Sequence, residues 1–385
     1  MMHLAVALDG AGWHPAAWRS RAGDLFSAGY WLDLVLEAER GHLDFVTIED
    51  GLGLQTARFH RPDDRTDQVR GRLDAALVAA FVAPLTTHIG LVPTTDVTHT
   101  EPFHVATGIA TLDHASNGRA GWRPQIASRA ADASHFGRRT TPQLTDTDVL
   151  DPESIARRMR PLFAEAVDVV EVVRRLWDSW ADDAEIRDVA TGRFIDADRV
   201  RHIDFVGEHF SVKGPAITPR PPQGQPVVAS LAHASTPFEF AAACSDVVFL
   251  TPHDGAGISR ILAQVDDAVA RFGRPLLRFA DLVVFLDDTP GRKARLDALS
   301  GTEFTSDAAV FAGTPAALAD LLVSWHAEGL DGFRLRPGAL PHDLHAITRA
   351  VVPELQRRGA FRTSYDATTL RGHLRLPRPD RRLPI

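Results

Sequence analysis

A (β/α)8 barrel (the TIM-barrel α/β class) carrying insertions is the fold these 385 residues predict, as one domain over 1–385. Three observations carry that expectation. Short apolar runs alternate with helix-patterned segments, which signals βαβ units and a parallel sheet. Eight such runs occur, in a length typical of a barrel with insertions. The runner-up, a doubly wound open sheet, usually needs a glycine fingerprint after its first strand. DGAGW (9–13) lacks the third glycine, and no helix pattern follows it.

The elements run in order. HLAVALD (3–9) reads as a strand, and YWLDLVLEAERGH (30–42) has apolar residues at helical spacing with Gly41 at its end. DFVTIED (44–50) is a strand, RLDAALVAAFVAPL (72–85) a helix, HIGLVPTTDV (88–97) a strand and EPFHVATGIATLDHAS (101–116) a helix. Ser116-Asn117-Gly118 is a stop signal. The fourth strand, 119–127, then carries Arg119, Arg123, Gln125 and Pro124, with Ser128 just beyond. That polarity suits the C-terminal end of a barrel strand, where sites lie. Pro124 is tolerated where ladder pairing stops.

The middle departs from the alternation. Residues 129–155 read as a long polar loop, about 155–181 as a strong amphipathic helix, and 186–215 as hairpins. PRPPQGQP (219–226) is an extended connector. The segments 129–155 and 186–225 are therefore expected insertions, and loops this long are usually functional. Alternation resumes with strands 226–232, 246–252, 276–287 and 332–338, and helices 235–244, 256–272, 314–329 and 342–359.

Net charge is −8 and the pI about 6.1, so no basic field offers itself to nucleic acid. The single cysteine, Cys244, excludes an internal disulfide and any cysteine-based metal site. It suits a reducing, cytoplasmic setting. MMHLAVALDGAGW has no basic n-region and too short an apolar run for a signal peptide. No stretch is long and apolar enough to predict a membrane span.

Ordered strings then carry a resemblance. AGWHPAAWR, LEAERGHLDFVTIEDGLG and HIGLVPTT…EPFHVATGIATLDHASNGRAGW resemble the bacterial-luciferase-like flavin monooxygenases. RRLWDSW…DAEIRDVATGRFID…VGEHFSVKGP…RPPQGQP, FAGTP, GLDGFRLRP and VVPELQRRG are similar to the nitrilotriacetate, dibenzothiophene-sulfone and pristinamycin branch. The likeness covers almost the whole chain in order. It implies an FMN-using barrel that takes reduced flavin from a separate reductase and uses O2 to oxidise a small organic substrate. The cofactor then carries the hard step. The sequence shows no GxSxG, HExxH or cysteine pair, and a metal is not expected.

The resemblance also implies site residues. Asp50 matches an Asp near the flavin; alone, it reads equally as a helix-capping Asp. Thr94 and Thr95 match a flavin-contacting Thr position, or are plain strand-end threonines. Trp122 shapes the core beside the flavin or simply packs. Arg123, Gln125 and Ser128 face the barrel mouth. His14 and Trp18 either line the substrate side or pack their loop. His14 and His104 are the side-chain candidates for chemistry, though a structural histidine is the plainer reading of His104. Asp246 and Trp177 are assigned to packing and solvation.

The phosphate end departs from the family. Met159 and Phe163 stand where the branch carries a His and a Tyr, and AHASTPF (232–238) replaces a glycine-rich loop around His233. Ser235 is left to cap the helix 235–244, whose N-terminus is an anion site. Arg123, where the family has Asn, would compensate with Arg129 or His233 through an arginine–phosphate pair. The alternatives are weak FMN binding, the deazaflavin F420 in a hydride-transfer enzyme, or a non-catalytic barrel acting as a binding or dimerisation module. A homodimer or homotetramer is expected.

Overall fold

A computed structural model describes residues 1–20, 23–56, 62–141, 143, 145, 151–287 and 291–381. Eight parallel strands close on themselves: β1 (His3–Leu8), β2 (Phe45–Ile48), β3 (Gly90–Asp96), β4 (Gly121–Gln125), β5 (Val227–Leu231), β6 (Val247–Leu250), β7 (Leu277–Leu286) and β8 (Gly332–Pro337). Each pairs with the next, and β8 returns to β1 with Gly332 opposite His3. The barrel expectation is met by all eight predicted runs, each a little longer than its strand.

A ninth strand, Ala309–Gly313, was not legible in the sequence. It pairs in parallel with the upper half of β7, Leu282–Leu286, while β6 pairs with the lower half, Leu277–Ala280. β7 outruns β6, and the extra strand covers the edge this leaves. A helix before it, Arg292–Ser300, was likewise unexpected.

The outer helices are α1 (Ala28–Arg40), α2 (Ala75–Val82), α3 (Pro102–Ala115), α4 (Pro152–Trp177), α5 (Ser235–Cys244), α6 (Gly255–Phe272) and α7 (Pro315–Ala327). The last, α8, is His342–Ala346 continued through a π-helical turn, Ile347–Val351, into Val352–Arg357. Ser27, Asp74, Asp151, Asp254 and Thr314 cap their helices through side-chain oxygens. Asn117 and Gly118 close α3 with left-handed φ of 54° and 87°, as the Ser-Asn-Gly signal predicted. Gly41 ends α1 for another reason. Its φ is −77°, but an added Cβ would lie 2.6 Å from Thr348 Cγ2, so close packing against α8 demands glycine there.

The lower lumen is apolar. Phe45, Phe249 and Phe279 meet with ring centroids 5.7–6.3 Å apart. Leu370 and Leu374, from the chain after α8, pack into the same cluster and plug the barrel's N-terminal end. Trp177 is structural, its Nε1 donating to Ala106 O at 3.0 Å. Asp246 departs from its expected solvated role. It is buried, 3.0 Å from Arg174 and 3.2 Å from Arg371, and accepts from Val228 N.

The segment expected as an insertion, 186–225, and the residue before it hold two hairpins, Glu185–Asp188 with Arg193–Ile195 and Phe205–Val206 with Ser211–Val212. In 129–155 a short helix, Ala130–Ser134, interrupts the expected loop; residues 142, 144 and 146–150 lie outside the described residues. Among the described residues no helix is long and apolar enough to cross a membrane.

Candidate active site

The C-terminal ends of β2, β3 and β4 surround a cavity of about 510 Å³. Strand ends and the loops that follow them supply its lining. Asp50 follows β2, Thr94, Thr95 and Asp96 close β3, and Gln125 closes β4, with Ser128 in the loop beyond. His104 and Gly108 of α3 form one wall, and Arg72, Asp74, Arg129 and Asp132 complete the rim. So Asp50, Thr94, Thr95, Ser128 and His104, all singled out by sequence, share one cavity.

Asp50 holds both readings at once. Its Oδ1 accepts from Gly51 N at 2.7 Å and its Oδ2 from Ala75 N, the first residue of α2, at 3.0 Å. Burial raises its pKa, against the pull of those two amides. Burial also raises Asp96, whose Oδ2 accepts from His99 N at 2.7 Å. Asp96 Oδ1 and Asp132 Oδ1 are buried and have no hydrogen-bond partner.

Beneath the cavity lies a charged layer. Arg123 Nε donates to Thr94 Oγ1 at 2.9 Å, and its Nη2 donates to Glu49 and to Gln125 Oε1. Glu49 also pairs with Arg334 at 3.0 Å, and Arg334 Nε donates to Asp281 at 2.8 Å. Arg336 joins Asp281 to Asp307, the latter at 2.7 Å. Arg334 lies 4.1 Å over the Phe249 ring. Burial alone would raise Glu49, but Arg123 and Arg334 hold it below its ordinary value. Asp307, whose side chain is half-exposed, is held at about 2 by Arg336, which outweighs its partial desolvation. Three guanidinium groups thus face three carboxylates, which is how buried charges are tolerated.

Several expectations change here. Arg123 does not offer its guanidinium to a phosphate, because that group is committed to Glu49 inside the lumen. Trp122 is fully buried; it packs edge-on to Trp177 and donates Nε1 to Thr95 Oγ1 at 2.6 Å. It orients a cavity hydroxyl from behind. Ser235 does not cap α5: Ala234 holds that position, no side chain caps the helix, and Ser235 is exposed. Nor does Ser235 or the exposed His233 line the cavity. Phe163 packs edge-on against Phe240.

His14 has both ring nitrogens engaged within the chain. Its Nδ1 accepts from Ala16 N at 3.0 Å, which leaves the proton on Nε2, facing Asp297 at 3.0 Å. Burial lowers its pKa, with Asp297 opposing. Trp18 is 42% exposed and bonds Asp67 O.

Two further cavities flank the first. One of about 400 Å³ shares Gln55, Thr56 and Arg72 with it and is lined by Trp13, His14 and Thr302–Thr305. The other, about 770 Å³, shares Ser128 and is lined by Met159 of α4 and by residues of both insertions.

The luciferase-like monooxygenase family model matches residues 10–328. The chain belongs to that family. It is 30% identical to nitrilotriacetate monooxygenase component A of Aminobacter aminovorans, over 96% of this chain and 94% of that protein. It is 29% identical to dibenzothiophene-sulfone monooxygenase of Rhodococcus erythropolis, over 94% and 93%. Among solved structures, a riboflavin lyase with modified FMN and substrate riboflavin superimposes with a TM-score of 0.82 at 24% identity, over 97% and 95%. This luciferase-like chain is therefore a monooxygenase-type oxidoreductase of a flavin-dependent group.

The cavity suits a flavin. It is recessed at a barrel mouth, and it offers hydroxyls and unpartnered buried carboxylate oxygens to the polar edge of a ring. The sequence reading passed over Asp96, Asp132, Arg334 and Arg336. A signal existed for the two arginines. In GFRLRP they stand two apart, on one face of a strand otherwise buried.

Proposed function

We propose that this luciferase-like chain is the oxygenating component of a two-component system. It takes reduced FMN from a separate flavin reductase and, with O2, transfers one oxygen atom to a small organic substrate. The observation that carries this reading is the meeting of Asp50, Thr94, Thr95 and Ser128 on one cavity at the C-terminal strand ends. The component A designation of the Aminobacter relative supports a reductase partner.

Flavin, when bound, supplies the electrons and the oxygen activation. The chain supplies the rest. Asp50 and Asp96 accept hydrogen bonds at carboxylates whose burial makes each contact stronger than in water. Thr94 and Thr95 offer hydroxyls whose orientations are set by Arg123 and Trp122. The lumen below is filled by paired charge and packed aromatic rings. The cavity beside His14 is on the substrate side.

Anaerobic titration with chemically reduced FMN, followed by ultrafiltration, tests the reading; micromolar retention is expected. Retention of F420 in place of FMN would move the chain to the deazaflavin reading. Retention of neither would leave the binding-module reading. Gel filtration is expected to show a dimer or tetramer.

A further inference from the structure

FMN and riboflavin differ by one phosphate, and the charges around the mouth are unequal. The central cavity has four carboxylates, Asp50, Asp74, Asp96 and Asp132, against Arg72 and Arg129. The carboxylates outnumber the guanidinium groups two to one. Arg72 grips Asp9 with two bonds of 3.0 and 2.6 Å, and Arg129 Nε holds Asp132 at 2.9 Å. A dianion there would face unpaired negative charge. The cavity beside His14 carries no excess of positive charge: its Arg65 and Arg72 are balanced by Asp9 and Glu303.

The third cavity differs. Arg138, Arg139 and Arg158 line it with His209, Thr140 and Thr141, against only Glu165 and Glu208. It meets the central cavity at Ser128, which lines both. Arg139 is held by Glu165 through bonds of 2.7 and 2.6 Å, and Arg138 pairs with Glu101 where both side chains are mostly in water. An exposed pair of that kind is weak and exchanges readily. A guanidinium fork with remaining N–H groups suits a phosphate monoester.

We infer that this insertion-lined cavity takes the phosphate of the flavin, with Arg139 and Arg158 as its binding residues. Arginines from the 129–155 insertion and α4 thereby do what Met159 and Phe163 lack the chemistry to do and what Arg123 is too occupied to do. The inference rests on the proposed flavin reading and adds which atoms of the chain discriminate FMN from its dephosphorylated form.

The test compares reduced FMN with reduced riboflavin on the intact chain, by anaerobic ultrafiltration. FMN should bind at least about tenfold more tightly, the value of one charge-assisted hydrogen bond or more. That preference should shrink as salt rises. Arg139→Gln and Arg158→Gln should each weaken FMN and leave riboflavin unchanged, so riboflavin affinity also reports that the variant is folded. Glu165→Gln, which releases Arg139, should tighten FMN alone. Equal affinity for the two flavins in the native chain overturns the assignment, as does an undiminished FMN preference in the Arg139→Gln, Arg158→Gln double variant. Failure to bind either flavin overturns the flavin reading itself, and this assignment with it.

Discussion

Glu49 stands between Arg123 and Arg334 with its side chain 15% exposed. Removing its charge leaves two guanidinium groups facing each other. Glu49→Gln should destabilise the fold by about 3–5 kcal/mol, the cost of breaking a buried pair from one side. Urea denaturation measures this; an unchanged midpoint would show that the layer is solvated. Asp50 carries the second expectation at this scale. Burial raises its pKa, so on acidification it takes up a proton at a higher pH than an ordinary aspartate. If the ionised carboxylate receives the flavin, FMN affinity falls as pH drops through that raised value. Asp50→Asn should bind more weakly and flatten the profile. A wild-type profile in the variant would reduce Asp50 to its capping bond with Ala75. The sequence could nominate Asp50 because strand ends in a barrel face the mouth. It could not show Arg123 turning away, since the partner, Glu49, lies on a different strand.

Among elements, α1 and α8 meet at Glu37. Its carboxylate accepts from Thr348 Oγ1 at 2.6 Å and from Arg349 Nε and Nη2 at 2.8 and 3.0 Å, with Arg40 also bound. Burial would raise Glu37, but Arg349, Thr348 and Arg40 outweigh it and hold the carboxyl at about 2. The folded pKa lies below the unfolded one. The contribution is therefore present above the ordinary glutamate range and lost as pH falls toward 2. Glu37→Gln should cost on the order of 1–3 kcal/mol near pH 7 and much less near pH 3. Melting curves at the two pH values check it, and equal losses would count against the assignment. All eight strands and the eight outer helices were legible because one side of each is apolar at its own period. The strand Ala309–Gly313 was not. It is half-exposed along most of its length, and it exists because β7 extends past β6, a length difference between two distant segments.

At the scale of the molecule, the chain after α8 turns back under the barrel. Leu370 is fully buried in the lower lumen with Phe45, Phe249 and Phe279. Added Cβ atoms on Gly90 and Gly121 would come within 2.6 and 3.1 Å of its methyl groups. Leu370→Ala should cost about 2–5 kcal/mol, the range for a buried leucine whose cavity cannot collapse. A rigid closed barrel is such a setting, and a loss below about 1 kcal/mol in urea denaturation would show that the plug is loosely held.

The sequence by itself determined the barrel, its order of strands and helices, and residues that share the central cavity, Asp50, Thr94, Thr95, His104, Gln125 and Ser128 among them. Those features are local: a period of two or 3.6, a stop signal, a strand end. Only the tertiary structure decided how charge is distributed at the mouth. It committed Arg123, Arg334 and Arg336 to carboxylates within the lumen, left Asp96 and Asp132 with unpaired oxygens, and gathered Arg138, Arg139 and Arg158 around a separate cavity. Which carboxylate a charged side chain meets depends on which distant residue lies within a few ångströms, and barrel closure sets that distance.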